Sequence, residues 1–307
     1  MARVPISLAK HPNPGGSPMA CAAKRLPTNV PGAFFVDASC IDCGTCRWLA
    51  PLSFGAAGDA ARVKLQPERA DEVAAALLAL VACPVGAIGG PGGRLAEARA
   101  AFPRRLDGPV HHCGWHARAS FGASSWLIVR PEGNVMVDSP RFSAPLVRRI
   151  EQLGGIRLMV LTHRDDVADH HRFHQHFGCD RLLHADDVGP ATAAVEIQPS
   201  GREPIRLAPD LELIPVPGHT RGSVCLLHRD THLFSGDHLA WSPGVRQLVA
   251  FRDATWYDWR ELVASMERLA GHRFTWVLPG HGAPVRLPPA EMAASMRRLC
   301  AKLRETA

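Results

Sequence analysis

Thr162-His163-Arg164-Asp165-Asp166-Val167-Ala168-Asp169-His170 places two histidines and three aspartates just after a mostly apolar run, Ile156 to Leu161. The run is built of strand formers and reads as a strand buried on both faces. Ligands gather where such strands end in open sheets, and the residues beyond read as the start of a helix. Three later fragments are of matching kind: Pro217-Gly218-His219-Thr220, Ser235-Gly236-Asp237-His238 and Pro279-Gly280-His281-Gly282. Each sets a metal-binding residue type beside a glycine, which permits a tight turn or close backbone approach. Histidine with aspartate is a donor set for zinc, iron or manganese.

Six of the sixteen histidines, His163, His170, His171, His174, His176 and His184, crowd this region, too many for all to be ligands. Asp165 or Asp166 suits the N-terminus of the helix expected there. With that helix under way by Asp166, His170 lies one turn from Asp166, and Asp169 one turn from Asp165. His163, Asp169 and His170 are then the leading ligand candidates and Asp165 a further one, with Asp166 assigned to capping. His171, His174 and His176 are expected to face solvent or to support the ligands.

The chain has 307 residues, 46% of them hydrophobic, enough for a large domain with a small one. No apolar run reaches the ~20 residues of a transmembrane helix, so no membrane partner is expected. The net charge of +6 is spread through arginines, with no basic block interleaved with aromatics, so no nucleic-acid partner is expected. No acidic residue precedes Asp37, whereas Arg3, Lys10, Lys24 and Arg25 are basic and Pro12, Pro14, Gly15, Gly16 and Pro18 lie between. Residues 1–30 therefore read as a disordered extension, or as an upstream start with Met19 as the true one, with a cytoplasmic location. An organelle transit peptide is the alternative for an acid-free N-terminus.

Cys40, Cys43 and Cys46, three of nine cysteines, fall within seven residues with no secretory segment before them. Such clusters are metal sites rather than disulfide frames. Thiolates at steps of three wrap one side of a compact group, and Gly44 frees the backbone to turn N–H groups toward the sulfurs. Cys83-Pro84, after a helix predicted from about Glu68 to Val81, supplies a fourth ligand. The pattern resembles bacterial-type ferredoxins, with C-x-x-C-x-x-C and a distant C-P. A second cluster would need a cysteine where Ala50 stands and another such run. One 4Fe–4S cluster on Cys40, Cys43, Cys46 and Cys83 is expected, in a domain over 31–88, rather than zinc, whose four-cysteine sites come as two C-x-x-C pairs. Gly89-Gly90-Pro91-Gly92-Gly93 opens a linker over 89–109 with a short helical piece at Leu95 to Ala101, and His111-His112-Cys113-Gly114-Trp115-His116 reads as loop and packing residues, with contact to metal or to the cluster's surroundings as the alternative.

Further on, strands are expected at Trp126 to Val129, Val135 to Val137, Leu211 to Ile214, Ser223 to Leu227 and Leu233 to Ser235. Helices are expected after Ser143, at Trp259 to Ala270 and at Pro289 to Lys302. With the four histidine- and aspartate-bearing fragments in this order, the region from about residue 110 resembles the metallo-β-lactamase superfamily, whose members carry T-H-x-H-x-D-H, then G-H-T, G-D and G-H-G. Asp138 matches the family's early strand-ending aspartate. This chain departs after His163: Asp165 replaces the second family histidine, and the D-H pair arrives two residues late as Asp169-His170.

The resemblance implies an αββα sandwich over 110–307, and hence an α+β chain in which a small ferredoxin-like domain precedes it. It implies one or two zinc or iron ions, with His163, His219 and Asp165 around one position and Asp169, His170 and His281 around the other. Asp237 would bridge them, and His238 would support catalysis beside it. Hydrolysis of an ester, thioester or phosphodiester of a small-molecule substrate follows from that. Flavodiiron proteins, which resemble this fold, carry a carboxylate where the second histidine usually sits, and persulfide dioxygenases use one iron. An iron oxidoreductase fed with electrons by the cluster, with a redox partner protein, is therefore the second reading, and a redox sensor with a degenerate site the third. Trp241, Phe251, Trp256 and Tyr257 are expected to wall the substrate.

Overall fold

The computed structural model describes residues 20–306. The first lobe contains β1 (Phe35–Val36), α1 (Thr45–Leu49), a hairpin of β2 (Phe54–Ala57) and β3 (Ala60–Val63), α2 (Ala70–Ala82) and β4 (Ile88–Gly89), with β4 antiparallel to β1. α2 forms as the sequence suggests. Asp71 and Glu72 occupy its first turn, where carboxylates favour the dipole, and its apolar face buries Leu77, Leu78 and Val81.

Next come α3 (Leu95–Ala100), β5 (Arg104–Asp107), β6 (Val110–His112), β7 (Trp126–Ile128), β8 (Val135–Val137), α4 (Ala144–Gln152), β9 (Leu158–Val160), α5 (His170–Phe177) and β10 (Asp180–Leu182). They build a six-stranded sheet in the order β10-β9-β8-β7-β6-β5, parallel over β8, β9 and β10 and antiparallel elsewhere. The chain continues through β11 (Ile205–Ala208), β12 (Leu211–Pro215), β13 (Val224–His228), β14 (His232–Gly236), a small hairpin of β15 (Ala240–Ser242) and β16 (Gln247–Val249), α6 (Trp259–Leu269), β17 (Trp276–Pro279), β18 (Val285–Arg286) and α7 (Pro289–Arg304). A second six-stranded sheet has the order β11-β12-β13-β14-β17-β18, with β14 and β17 parallel.

The two sheets face one another across a core of Val110, Trp126, Ile128, Val137, Val160, Leu213, Leu226, Phe234 and Leu278. α6 and α7 cover the second sheet through Leu262, Met266, Met296 and Leu299. α4 and α5 cover the first through Leu146, Ile150 and Phe173. The result is the expected four-layer αββα order. Among the described residues, no helix is long and apolar enough to cross a membrane.

Three expectations need correction. Residues 1–19 lie outside the described residues, but 20–30 are fastened to the first lobe. Leu26 N donates to Val36 O, and Asn29 Oδ1 accepts from Val36 N and Val63 N. Residues 89–109 are not a loose linker, because besides the expected helical piece, α3, they hold Gly89 of β4 and the edge strand β5. Their glycines serve close packing rather than flexibility: a Cβ on Gly89 would fall 2.2 Å from the Phe35 ring, and one on Gly90 2.7 Å from the Phe34 ring. The core beneath α4 and α5 runs on without a break into Phe34, Phe54 and Leu77 of the first lobe, so the two lobes share it. Finally, the helix expected at Asp165 begins only at His170, with Asp169 at its N-cap position.

Phe102, in the expected linker, is fully buried. Phe102→Ala should therefore lower stability to chemical denaturation by about 3–5 kcal/mol, as for other buried aromatics. A loss under about 0.5 kcal/mol, typical of surface sites, would restore the linker.

Candidate metal centres

Cys40, Cys43, Cys46 and Cys83 line a single cavity with Val36, Ile41, Ala61, Val85 and Ile88. The turn at Asp42-Gly44, with both residues at positive φ, brings the first three sulfurs to one side. α2 delivers Cys83 at its C-terminal end. Backbone N–H groups of Ala61 and Ala87 donate to the Cys40 and Cys83 sulfurs at 3.4 and 3.3 Å. The Thr45 hydroxyl lies 3.4 Å from the Cys43 sulfur. Burial, then the neighbouring sulfurs, raises the Cys46 thiol strongly, and burial pushes Cys83 up to about 11. Four thiols drawn together in an apolar cavity with N–H donors aimed at them fit a cluster, whose irons would take them as thiolates. All nine cysteines are free thiols.

The second centre forms at the strand ends of the sandwich. Asp138, at the end of β8, accepts from Thr162 N at 2.7 Å and from Thr162 Oγ1 at 2.9 Å. With its proton committed to that carboxylate, Thr162 Oγ1 is left to accept from His163 Nδ1, 3.0 Å away. This sets the His163 tautomer and leaves the Nε2 lone pair free for a metal. Asp187, which the sequence did not single out, ties the His163 loop to the His219 loop. Its carboxylate accepts from Arg164 N, Gly222 N and Thr220 Oγ1. Asp237 follows β14, and His281 follows β17, where both Asp237 oxygens lie within 2.9 Å of His281 Nδ1.

Potential ligand atoms fall into two groups that share Asp237: His163, His219 and Asp237, and Asp166, Asp237 and His281. Within each group they lie within 4.8 Å of one another. Asp165 joins the first group's edge, 3.5 Å from His219 Nε2, and is half-exposed. Both groups close around Gly280, where a Cβ would come within 2.7 Å of both Asp166 and Asp237. His163 Nε2, Asp166 Oδ2, both nitrogens of His219 and His281 Nε2 are buried without a hydrogen-bond partner. Orphaned buried polar atoms are costly. Such atoms on residues whose ligand atoms gather in two groups around one shared carboxylate fit a metal centre.

The electrostatics agree. Burial pushes His163 down to about 4, so it is neutral and able to ligate near pH 7. Burial raises Asp237, but the charge and hydrogen bond of His281, with His163 and His219, outweigh it and hold the carboxyl well below the usual range. Burial, then repulsion from Asp237 and Asp138, raises Asp166 well above it.

Two expected ligands are not brought to this group. Asp169 Oδ2 accepts from Phe142 N at 2.8 Å and lies 3.7 Å from Arg172. His170 is buried in the first turn of α5, with Nδ1 3.2 Å from the Arg181 guanidinium. Asp166, expected to cap a helix, takes their place. The reason is the late helix start, which leaves 163–169 as a loop that folds Asp166 inward, pinned by Ser139 N donating to the Asp166 carbonyl. His238 is buried beside Asp237 with both ring nitrogens unpartnered, and burial lowers it to about 3. Of the expected walls, Trp256 and Tyr257 are exposed, and the Trp256 ring stands 6.2 Å from that of His219. Trp241 packs on the α6–α7 core. Phe121, which the sequence reading passed over, stands 6.0 Å from the His281 ring.

Residues 36–90 match the family described as the 4Fe-4S single cluster domain of Ferredoxin I. A hydroxyacylglutathione hydrolase of Xanthomonas oryzae pv. oryzae (strain MAFF 311018) is 31% identical over 118 residues, 37% of this chain and 45% of that protein. The chain thus spans less than half the length of this relative. The BLEG-1 B3 metallo-β-lactamase superposes with a TM-score of 0.50 at 15% identity, covering 63% of this chain and 99% of that one. ETHE1 from Myxococcus xanthus does so with a TM-score of 0.46 at 17% identity, over 62% of this chain and 84% of that one. Fold and cysteine frame together make this chain a single-cluster 4Fe–4S ferredoxin-type domain joined to a domain of metallo-β-lactamase fold.

Proposed function

We propose that this protein is a metal-dependent hydrolase of a small acyl substrate, a thioester before other esters. The observation that carries the reading is the pair of ligand groups sharing Asp237, several of whose buried polar atoms have no hydrogen-bond partner. His163, His219 and Asp165 would hold one ion, Asp166 and His281 a second, and Asp237 both. Zinc or iron there supplies a water of lowered pKa and an electrophile for the substrate carbonyl. The protein's own residues prepare that chemistry. The Asp138–Thr162 pair keeps His163 in its ligating tautomer. Asp237 supplies the shared negative charge, and the exposed rings of Phe121 and Trp256 flank the entrance. The hydrolase relative, named for an acylated thiol, supports the thioester. An iron oxidoreductase is the second reading, favoured by three aspartates among the six ligands, a harder donor set than histidine alone.

Anaerobic protein carrying its cluster should hydrolyse an acylglutathione without added reductant. Turnover of any substrate only in the presence of a one-electron donor would reject the hydrolase in favour of the oxidoreductase.

Asp166→Ala should remove metal from the second centre and lower hydrolysis by about 100-fold or more, beyond the usual effect of residues that merely support ligands. Asp169→Ala and His170→Ala should keep full metal content by elemental analysis. Loss of metal from either of those, with Asp166→Ala unaffected, would return the ligand set to the family spacing.

A further inference from the structure

One short segment touches both centres. At one end, Gly122 lies against the four-cysteine cavity. Its carbonyl accepts from His116 Nδ1 at 2.6 Å and from Thr45 Oγ1 at 3.3 Å. A Cβ there would fall 2.8 Å from Cys43 Cβ and 3.0 Å from both the Cys43 sulfur and Pro84. Since Gly122 also has φ +86°, no other residue fits this contact without strain. His116 is itself held by His112, Nε2 to Nε2 at 2.9 Å, within the rings of Trp48, Phe102 and Trp126. At the other end, Ser124 N donates to Gly280 O at 2.7 Å and Trp126 Nε1 to Pro279 O at 3.3 Å. The segment is thus fastened to the turn that carries His281.

Phe121 adjoins the first anchorage and lies near the histidine beyond the second. Its ring is 6.0 Å from that of His281. Phe121 has φ +48°, a conformation that costs a bulky residue about 1–2 kcal/mol. Phe121 is 55% exposed, so core burial does not offset that cost. Glycine or asparagine would fill the turn with less strain. A strained, exposed aromatic against a ligand histidine is an outlier that calls for a role.

We propose that the Phe121–Gly122 turn is a positioning element that couples the two centres. With the cysteines drawn onto a cluster, Cys43 fixes Gly122, Gly122 fixes Phe121, and Phe121 steadies His281 as a ligand. This rests on the reading of His281 as a ligand. Coupling of this kind is reciprocal in binding free energy, so a metal at His281 also tightens the cysteines' hold on the cluster. A coupling of about 5–150-fold in affinity is the usual range between linked sites.

The test uses full-length protein and manganous ion, which prefers oxygen and nitrogen donors to thiolate and so ignores emptied cysteines. Its free electron-paramagnetic-resonance signal reports the unbound fraction. Wild-type protein with the cluster intact should bind it at least about 5-fold tighter than protein stripped of the cluster. Phe121→Ala, with the cluster's visible absorbance unchanged, should bind as weakly as the stripped protein, and Phe121→Tyr should restore the affinity. Bound manganese should also slow oxidative bleaching of the cluster in wild type but not in Phe121→Ala. If stripping unfolds the protein, the Phe121→Ala comparison decides. Equal affinity in wild type and Phe121→Ala, both with clusters, overturns the coupling while leaving the metal centre intact. No binding even to wild type with its cluster, and no change in His163→Ala, overturns the metal centre and the coupling with it.

Discussion

Two carboxylates, Asp166 and Asp237, meet against Gly280 inside the sandwich, and the architecture around them exists to make that meeting tolerable. Like charges this close and this dry cannot both ionise without a cation. His281 and the two histidines across from it stabilise Asp237 as an anion, and burial beside that anion drives Asp166 toward its protonated form. A divalent ion beside Asp237 would satisfy the carboxylates and take up ring nitrogens of the histidines grouped with them. The strand ends that carry these residues come from both sheets, so the site forms only when the two sheets are packed together. Metal binding and closure of the sandwich are then one event, as in other proteins whose ligands converge only on folding.

What was legible in the sequence follows the range of the interactions involved. The cysteine frame was readable because three of its ligands are set by one turn, and Cys83 by the end of a helix whose apolar face is periodic. His163, His219, Asp237 and His281 were readable because each sits beside a strand end marked by glycine or a buried apolar run. The choice between Asp166 and the pair Asp169 and His170 was not. It depends on where α5 begins, and local propensity placed that start four or five residues early. The competing claims on 163–169 come from elsewhere in the chain: Ser139 on the Asp166 carbonyl, Asp187 on Arg164, Phe142 on Asp169. Asp187 itself was invisible, since nothing about Asp186-Asp187 marks which of the two turns inward.

Residues 89–109 were misread for a related reason. Composition rich in glycine suggests flexibility, but glycine is also what remains when a ring occupies the space of a Cβ, as Phe35 and Phe34 do here. The two meanings are the same letter in a sequence and differ only in the surroundings. The consequence reaches beyond a boundary. A linker would let the cluster lobe swing free, whereas the observed core runs from Phe54 to Phe173 without interruption. The lobe is therefore a fixed wall of the sandwich domain, and relative motion, the default between domains joined by small polar interfaces, is not expected.

That fixed wall changes how the cluster should be regarded. A ferredoxin-type domain serving only as an electron carrier needs an exposed edge and no fixed orientation toward the rest of its chain. Here the Cys43 side of the cavity faces inward against Gly122, beneath a buried pair in which His112 Nε2 meets His116 Nε2 and His116 Nδ1 holds the Gly122 carbonyl. His116 is pushed down to about 4, by burial first, and is neutral. Its Nδ1 must then donate to that carbonyl and its Nε2 accept from His112, so the tautomers of both rings are set. A buried, fully assigned hydrogen-bond chain transmits position well because any rearrangement would strand a polar atom. The segment that packs Gly122 on Cys43 also holds the turn of His281 through Ser124 and Gly280, so the surroundings of the two cysteine- and histidine-bearing sites are parts of one packed structure.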